Sequence, residues 1–397
     1  MEKPVFTGKF TQQEPIPEAA IEAAVRVMRS GRLHRYNLIG DEEGEVSALE
    51  REFAAFTGAR HALAVASGGY AMGCALRALG VGPGDRVLSN GFTLAPVPGA
   101  IASVGAEPVF VETTEALTID IDDLAVKADA SGARVLLLSH MRGHICDMER
   151  LMAVAQARGL QVVEDCAHTM GAAWKGVPSG RHGVIGCYST QTYKHMNSGE
   201  GGLLVSDDPD IMARAVVLSG SYMLFGRHTV GPSVDRFEKV KYHTPNVSGR
   251  MDHLRAAILR PQLADLPAQV ARWNALYRSV EEGLRNTPGL KIIERPEEES
   301  IVGSSFQVLL PGWSADRVQS LTRACGLRGV ELKWFGAPEP VAFTSRYDSW
   351  RYAPPQRLPR TDAILAGLID MRLPLTFSED DARLIATIIR DEVRAAA

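Results

Sequence analysis

Lys194 closes the run Ser189-Thr190-Gln191-Thr192-Tyr193-Lys194, a few polar residues past an apolar stretch. A lysine held there could form a Schiff base with an aldehyde. Most lysines are solvated surface residues. The run Gly199-Glu200-Gly201-Gly202 just downstream argues instead for a backbone shaped to approach something closely. Asp165 ends the stretch Val162-Val163-Glu164-Asp165 and precedes Cys166-Ala167-His168. A carboxylate at the end of a buried apolar strand is costly unless a cation pairs with it. One such cation is a protonated heterocyclic nitrogen; the plainer role is to cap the next helix. Ser67-Gly68-Gly69-Tyr70 lies between an apolar strand and a helical pattern. Its inward-turned amides and the helix N-terminus suit a phosphate, although the same residues would serve a plain strand–turn–helix joint. Phe92, in Gly91-Phe92-Thr93, could stack on a planar ring, the alternative being ordinary core packing.

The order of these signals says more than any one of them. A phosphate-type turn is followed by an aromatic, a strand-end carboxylate and, 29 residues after Asp165, a lysine. A pyridoxal-phosphate (PLP) site needs these parts: lysine for the aldehyde, carboxylate for the pyridine nitrogen, turn for the phosphate.

Such residues must be presented by regular elements. Strands are expected at His61–Ala66, Arg86–Leu88, Pro108–Val111, Arg134–Ser139, Leu160–Glu164, Val184–Ser189 and Gly202–Ser206. Helices are expected at Tyr70–Leu79, Ala95–Val104 and Met148–Arg158, with helical spacing of Leu49, Phe53 and Phe56 ending at Gly58. This alternation implies βαβ units and an α/β fold, with a mostly parallel sheet covered by helices on both faces. Ligands in such sheets bind outside the carboxyl ends of the strands. The Ser219–Ser248 stretch reads as a long functional or interface loop. A long helical pattern runs from Arg250 toward Leu284, interrupted at Pro261. Beyond Gly289 the pattern is α+β, with a strand at Gly303–Leu310, a helix at Ala315–Cys325 and a last helix from Glu379. The expected division is a large α/β domain over 16–288 and a smaller C-terminal domain over 289–397, with 1–30 as a candidate addition to the latter.

Composition sets the outer limits. The 397 residues carry 43 Lys plus Arg against 47 Asp plus Glu, a net charge of −4. With no basic block, nucleic acid is not the expected partner. The five cysteines form no C-x-x-C pair, and their odd count favours a reducing compartment. No signal peptide and no membrane-length apolar run is evident, so a soluble cytoplasmic protein is the expectation. His140 and His144 flank Gly143 after a strand rather than lying on a helix, so no metal is expected.

Taken together, these motifs resemble the DegT-type family of fold-type I PLP enzymes, best known as sugar aminotransferases. The resemblance spans about Ile16 to Leu263 and, more loosely, the rest. It rests on Ser30-Gly31-Arg32-Leu33, Ala66-Ser67-Gly68-Gly69, Phe92-Thr93-Leu94-Ala95, His140-Met141-Arg142-Gly143, Glu164 to His168, Ser189 to Gly202 and Gly249-Arg250-Met251. It implies that Lys194 bonds the cofactor and that Asp165 pairs with the pyridine nitrogen. It places His168 by the 3-hydroxyl and Phe92 on the ring. Ser67, Gly68, Gly69 and Ser189 would hold the phosphate. Asn246 would reach the phosphate of a partner subunit, which implies a homodimer with shared sites. The implied reaction is ping-pong transfer of an amino group from Glu or Gln to a keto-sugar, cyclitol or related ketone. The alternatives are a PLP-dependent sugar dehydratase, whose family members replace the lysine with histidine, or a PLP-binding regulator without turnover.

Four positions depart from the family pattern. Gly69 stands where Thr is usual, and Arg142, followed by His144, where a Tyr is common. Three residues, rather than one, separate Asn246 from Arg250, and Arg32-Leu33-His34-Arg35-Tyr36 is unusually basic. Arg35, Arg142 and Lys333 are candidates to face an anionic substrate group, ordinary surface charge being the alternative.

Overall fold

The computed structural model describes residues 3–396. Helices α1 (Glu18–Ser30) and α2 (Glu45–Thr57) lead into an alternating series. It runs β1 (His61–Val65), α3 (Gly68–Ala78), β2 (Arg86–Asn90), α4 (Pro96–Ser103), β3 (Glu107–Val111), α5 (Ile121–Ser131), β4 (Val135–Ser139), α6 (Met148–Ala157) and β5 (Gln161–Asp165). A small hairpin, β6 (Ala173–Trp174) and β7 (Val177–Pro178), precedes β8 (Ile185–Ser189) and β9 (Gly202–Ser206). Then come α7 (Pro209–Ser219), α8 (Val234–Val240) and α9 (His253–Leu284). The C-terminal part holds β10 (Lys291–Ile292), β11 (Glu299–Ser300), β12 (Ser305–Leu309), α10 (Ala315–Leu327), β13 (Lys333–Trp334), α11 (Pro359–Ala366), β14 (Leu368–Arg372) and α12 (Glu379–Ala396).

The large sheet has seven strands in the order β1-β9-β8-β5-β4-β2-β3. Pairs from β3 to β8 are parallel; β8–β9 and β9–β1 are antiparallel. The antiparallel edge arises because β8 and β9 are joined by the 190–201 loop, with no crossover helix to bring the chain back parallel. Strand side chains alternate between faces. Ala62, Ala64, Leu136 and Leu138 enter one core, and Leu63, Val65, Val135 and Leu137 enter the other. Both faces are therefore covered, which explains the unbroken apolar runs in the sequence.

The smaller sheet, β10-β12-β14-β13, is antiparallel throughout and packs on α10, α12 and the end of α9. Phe6 and Phe10 join this core, whereas α1 packs on α9 through Ala23, Val27 and Ala257. The first thirty residues are thus split between the two parts of the molecule, and Met1 and Glu2 lie outside the described residues.

Pro261 does not interrupt the long helix as expected. α9 runs unbroken through both Pro261 and Pro267. Each proline costs the helix about 3 kcal/mol. Burial of Leu259, Leu263, Leu266, Trp273, Leu276, Val280 and Leu284 along its length offsets this. No helix among the described residues is long and apolar enough to cross a membrane.

Candidate active site

The register of the large sheet explains how distant residues meet. Ser139 lies opposite Asp165, Asp165 opposite Cys187, and both Val65 and Ser189 opposite Gly202. The carboxyl ends of β1, β4, β5 and β8 therefore open at one edge. The segments that follow them line a cavity of about 440 Å³, together with Ser304, Ser305 and Arg372 of the smaller domain. Ser67, Gly68, Gly69, Asp165, His168, Ser189 and Lys194 all line it.

The phosphate-type turn sits at the start of α3, where Ser67 Oγ accepts from Tyr70 N at 3.1 Å. Two glycines let this turn close on β8 and β9. A Cβ on Gly68 would lie 2.8 Å from Ser189 Cβ, and one on Gly202 would lie 2.4 Å from Ser67 carbonyl carbon. Gly69 is different: its nearest neighbour would be 3.9 Å away, so the absent side chain leaves open space beside the turn.

Asp165 is held by its neighbours. Ser139 Oγ donates to its Oδ2 at 2.9 Å and Ala167 N to its Oδ1 at 3.1 Å. Thr93 Oγ1 donates to Ser139 Oγ at 2.8 Å, and Asn90 grips the Ser139 backbone on both sides. The carboxylate is thus buried but oriented, because Asn90, at the end of β2, and Thr93 fix the Ser139 that holds it. Glu164, one residue earlier, points the other way. It accepts from Gly180 N, His182 N and Gly183 N, and its Oε2 lies 2.9 Å from His140 Nε2. His140, Glu164 and Cys166 lie within metal-ligating distance of one another. The carboxylate is already saturated by backbone donors, and the cluster is part of the core.

Lys194 occupies the loop between β8 and β9, pinned by Thr190 N to Gly201 O (2.9 Å) and Thr192 N to Gly199 O (3.1 Å). Its Nζ lies 2.9 Å from His168 Nε2. Burial, with the positive charges of Arg142 and Arg372, brings its pKa down to about 7, against the pull of Asp165. Burial and the Lys194 charge likewise hold His168 well below the usual histidine range, so its ring is neutral. His195 is an anchor: Nδ1 meets Met170 O at 3.0 Å and Nε2 meets Ser304 Oγ at 2.9 Å, tying the lysine loop to the smaller domain.

Other expected site residues lie elsewhere. Phe92 is buried edge-on against Phe335, with Leu117, Met141 and Leu309. The residues of that turn which line the cavity are Leu94 and Ala95, Leu94 being the larger. The two-residue step from Phe92 to Leu94 decides which side chain can meet a ring, and apolarity alone does not reveal it. Asn246 is exposed and outside the cavity of its own chain, in a segment tied to β1 through Ala66 N to Gly249 O at 2.7 Å. Lys333 pairs in register with Asp370 behind the cavity wall and does not line it.

Arg35 is not at the cavity either. It is buried against Glu50 in a two-pronged pair (2.9 and 2.8 Å), with His228 Nδ1 3.0 Å away. Glu50 also accepts from Ala64 N, linking α2 to β1. Arg35→Met is expected to cost about 3–5 kcal/mol of stability, because it leaves a buried carboxylate without its cation. Denaturant unfolding would show this, while saturation by an amino donor stays unchanged. A stable variant with impaired donor saturation would restore a substrate role.

Arg142 does line the cavity, with left-handed backbone (φ 55°) at a non-glycine residue. That strain costs on the order of 1–3 kcal/mol and is held by surrounding contacts. Its Nη2 is 2.8 Å from Asp370 Oδ2, and His144 Nε2 is 2.8 Å from Gln307 Oε1, whose Nε2 donates to Asp370 Oδ1 at 2.8 Å. Both departures in the loop after β4 therefore contact β12 and β14. Sequence reasoning missed Arg372, at the end of β14. Its only signal was a cation closing the short, mostly apolar run Leu368-Ile369-Asp370-Met371.

These residues suit PLP. The cradle between α3 and β8, which a Cβ on Gly68 would fill, the oriented Asp165 and the depressed Lys194 open into one cavity. Comparison with known proteins agrees. A model of the DegT/DnrJ/EryC1/StrS aminotransferase family matches residues 16–390. The chain is 32% identical to 3-amino-5-hydroxybenzoate synthase of Amycolatopsis mediterranei (strain S699), covering 96% of each chain. It is 30% identical to L-glutamine:2-deoxy-scyllo-inosose aminotransferase of Streptomyces lividus, covering 94% of this chain and 88% of the relative. Among solved structures, 3-amino-5-hydroxybenzoic acid synthase superposes with a TM-score of 0.83 at 27% identity, covering 99% of this chain and 100% of that one.

Proposed function

The chain belongs to the DegT/DnrJ/EryC1/StrS aminotransferase family, and on that premise we propose that it moves an amino group from glutamate or glutamine to a ketone in two half-reactions. The observation that carries this reading is the meeting of Lys194 and Asp165 in one cavity. Lys194 would bond the aldehyde of PLP, Asp165 would hold its ring nitrogen protonated, and Ser67, Gly68, Gly69 and Ser189 would hold its phosphate. When bound, PLP supplies a conjugated ring that accepts the electron pair left on the donor's α-carbon.

The protein's own part is proton handling and exclusion of water. A lysine with pKa near 7 is about half free amine at neutral pH, far more than an ordinary lysine, so Lys194 Nζ can take the proton from the donor α-carbon. Neutral His168 at 2.9 Å steadies that amine by accepting from it. The donor's nitrogen stays in the site, the keto acid leaves, and a ketone acceptor then takes the nitrogen as the steps run backward. Named relatives differ in the molecule their names give, 3-amino-5-hydroxybenzoate in one and 2-deoxy-scyllo-inosose in another. The acceptor is thus the variable part.

A homodimer completes the reading, with Asn246 offered from its exposed segment to the partner's site. The cofactor-binding unit occupies 16–288 and the smaller domain 289–397, with the segment around Phe6 and Phe10 attached to the latter. The decisive experiment is a visible spectrum of purified protein. Addition of glutamate or glutamine should bleach the lysine-bound cofactor band and release a keto acid. A band that survives both donors marks a binder without turnover.

A further inference from the structure

Three cations lie around a single carboxylate just behind the smaller-domain wall of the cavity, two of them reaching the cavity itself. Arg142, Arg372 and Lys333 all act on Asp370, whose Oδ1 is taken by Gln307. The contact of Arg142 Nη2 with Asp370 Oδ2 is off the hydrogen-bond line. Arg142 is only 5% exposed, and its Nε and Nη2 donate to nothing. Arg372 has no carboxylate within 4 Å among the described residues. It lies with its guanidinium 3.9 Å from the centre of the Tyr193 ring, next to Lys194 in sequence. Both arginines line the cavity. The wall therefore holds two guanidinium groups. Arg142 keeps buried donors that no acceptor among the described residues takes, a costly arrangement unless a bound anion completes it. The half-buried Arg372 faces the same cavity without a carboxylate partner among those residues.

We propose that Arg372 and Arg142 form a carboxylate subsite, and that the ketone acceptor is a carboxylated one rather than a neutral sugar. This rests on the functional reading above. Phosphate does not need this wall, because the α3 turn and Ser189 supply a separate cradle. A planar guanidinium matches a planar carboxylate in two-pronged fashion. Donor and acceptor use the cavity in turn, so the donor's own carboxylate falls on the same wall. A neutral acceptor would then leave the buried Arg142 donors that Asp370 does not take without an acceptor, and a site built for a polar group rejects the analogue lacking it.

The test uses unreactive probes with the PLP-loaded protein: benzoate and its neutral relative benzamide, titrated by calorimetry. Wild type is expected to bind benzoate more tightly by about 10-fold or more, the lower end for a hydrogen bond to a charged group. Arg372→Gln should reduce that preference to within about 3-fold, leaving benzamide affinity and melting temperature unchanged, whereas Arg372→Lys restores part of it. Arg142→Lys, which keeps a cation beside Asp370, should lower the preference as well and serves if Arg372→Gln does not fold. Absent benzoate binding, equal affinity for the two probes in wild type, or a preference that survives in the Arg372 and Arg142 variants would overturn the proposal. The two readings fail separately. A protein that bleaches with glutamate or glutamine but shows no carboxylate preference has lost only the subsite. One that shows the preference and never bleaches has lost only the transfer reaction.

Discussion

Lys194→Ala is expected to abolish amino transfer and to remove the visible band of the lysine-bound cofactor. The loss should exceed about 10³-fold, since one residue serves as both covalent attachment point and proton carrier. PLP should still bind, through the α3 turn and Ser189, and be removed by dialysis. Full activity in this variant would sink the assignment. A second measurement probes why the lysine is reactive. In cofactor-free wild type, the rate of Lys194 modification by an aldehyde should rise with pH around a midpoint near 7. The sign follows from the neighbours. Arg142 and Arg372 disfavour a further positive charge, so Arg372→Gln should move the midpoint up; Asp165 favours it, so Asp165→Asn should move it down. A midpoint near 10 would show that the cavity does not desolvate this amine.

Asp165→Asn comes next in size. The amide keeps the shape and can still accept from Ser139 Oγ, but it carries no charge to hold a ring proton. Turnover should fall by about 10³-fold or more, the scale seen when a buried carboxylate that fixes a protonation state becomes an amide. PLP should remain partly bound, which absorbance of the purified variant would show. Turnover near wild type would refute the electronic role of Asp165.

The sequence carried the frame of this site further than its lining. Strand-end positions such as Asp165 and Ser189 were readable because apolar runs buried on both faces stand out, and the residues after them must open at the sheet edge. Lys194 was readable because Gly199-Glu200-Gly201-Gly202 marks a tight return into β9. By contrast, Phe92 and Leu94 are both apolar, and only the turn after β2 determines which one faces the cavity. Arg35 and Arg142 look alike in sequence, both being basic residues in unusual places. One meets Glu50 from α2, and the other meets Asp370 more than two hundred residues away. Such long-range pairing leaves no local trace. The unbroken course of α9 through Pro261 is another case, decided by packing against α1, α2 and α12.

Adjacent acids at the end of β5 have a further consequence. Glu164 is fully consumed by the turn at 180–183 and His140, while Asp165 faces the cavity. Shifting a strand by one residue exchanges its faces. A β5 slipped by one residue in one direction would put Glu164 toward the cofactor and Val163 against three stranded amide donors. The alignment that builds the core is therefore the same one that arms the site. Chains that misalign this strand should fail to fold rather than fold into inactive copies, so the soluble protein should be uniformly competent to take up cofactor.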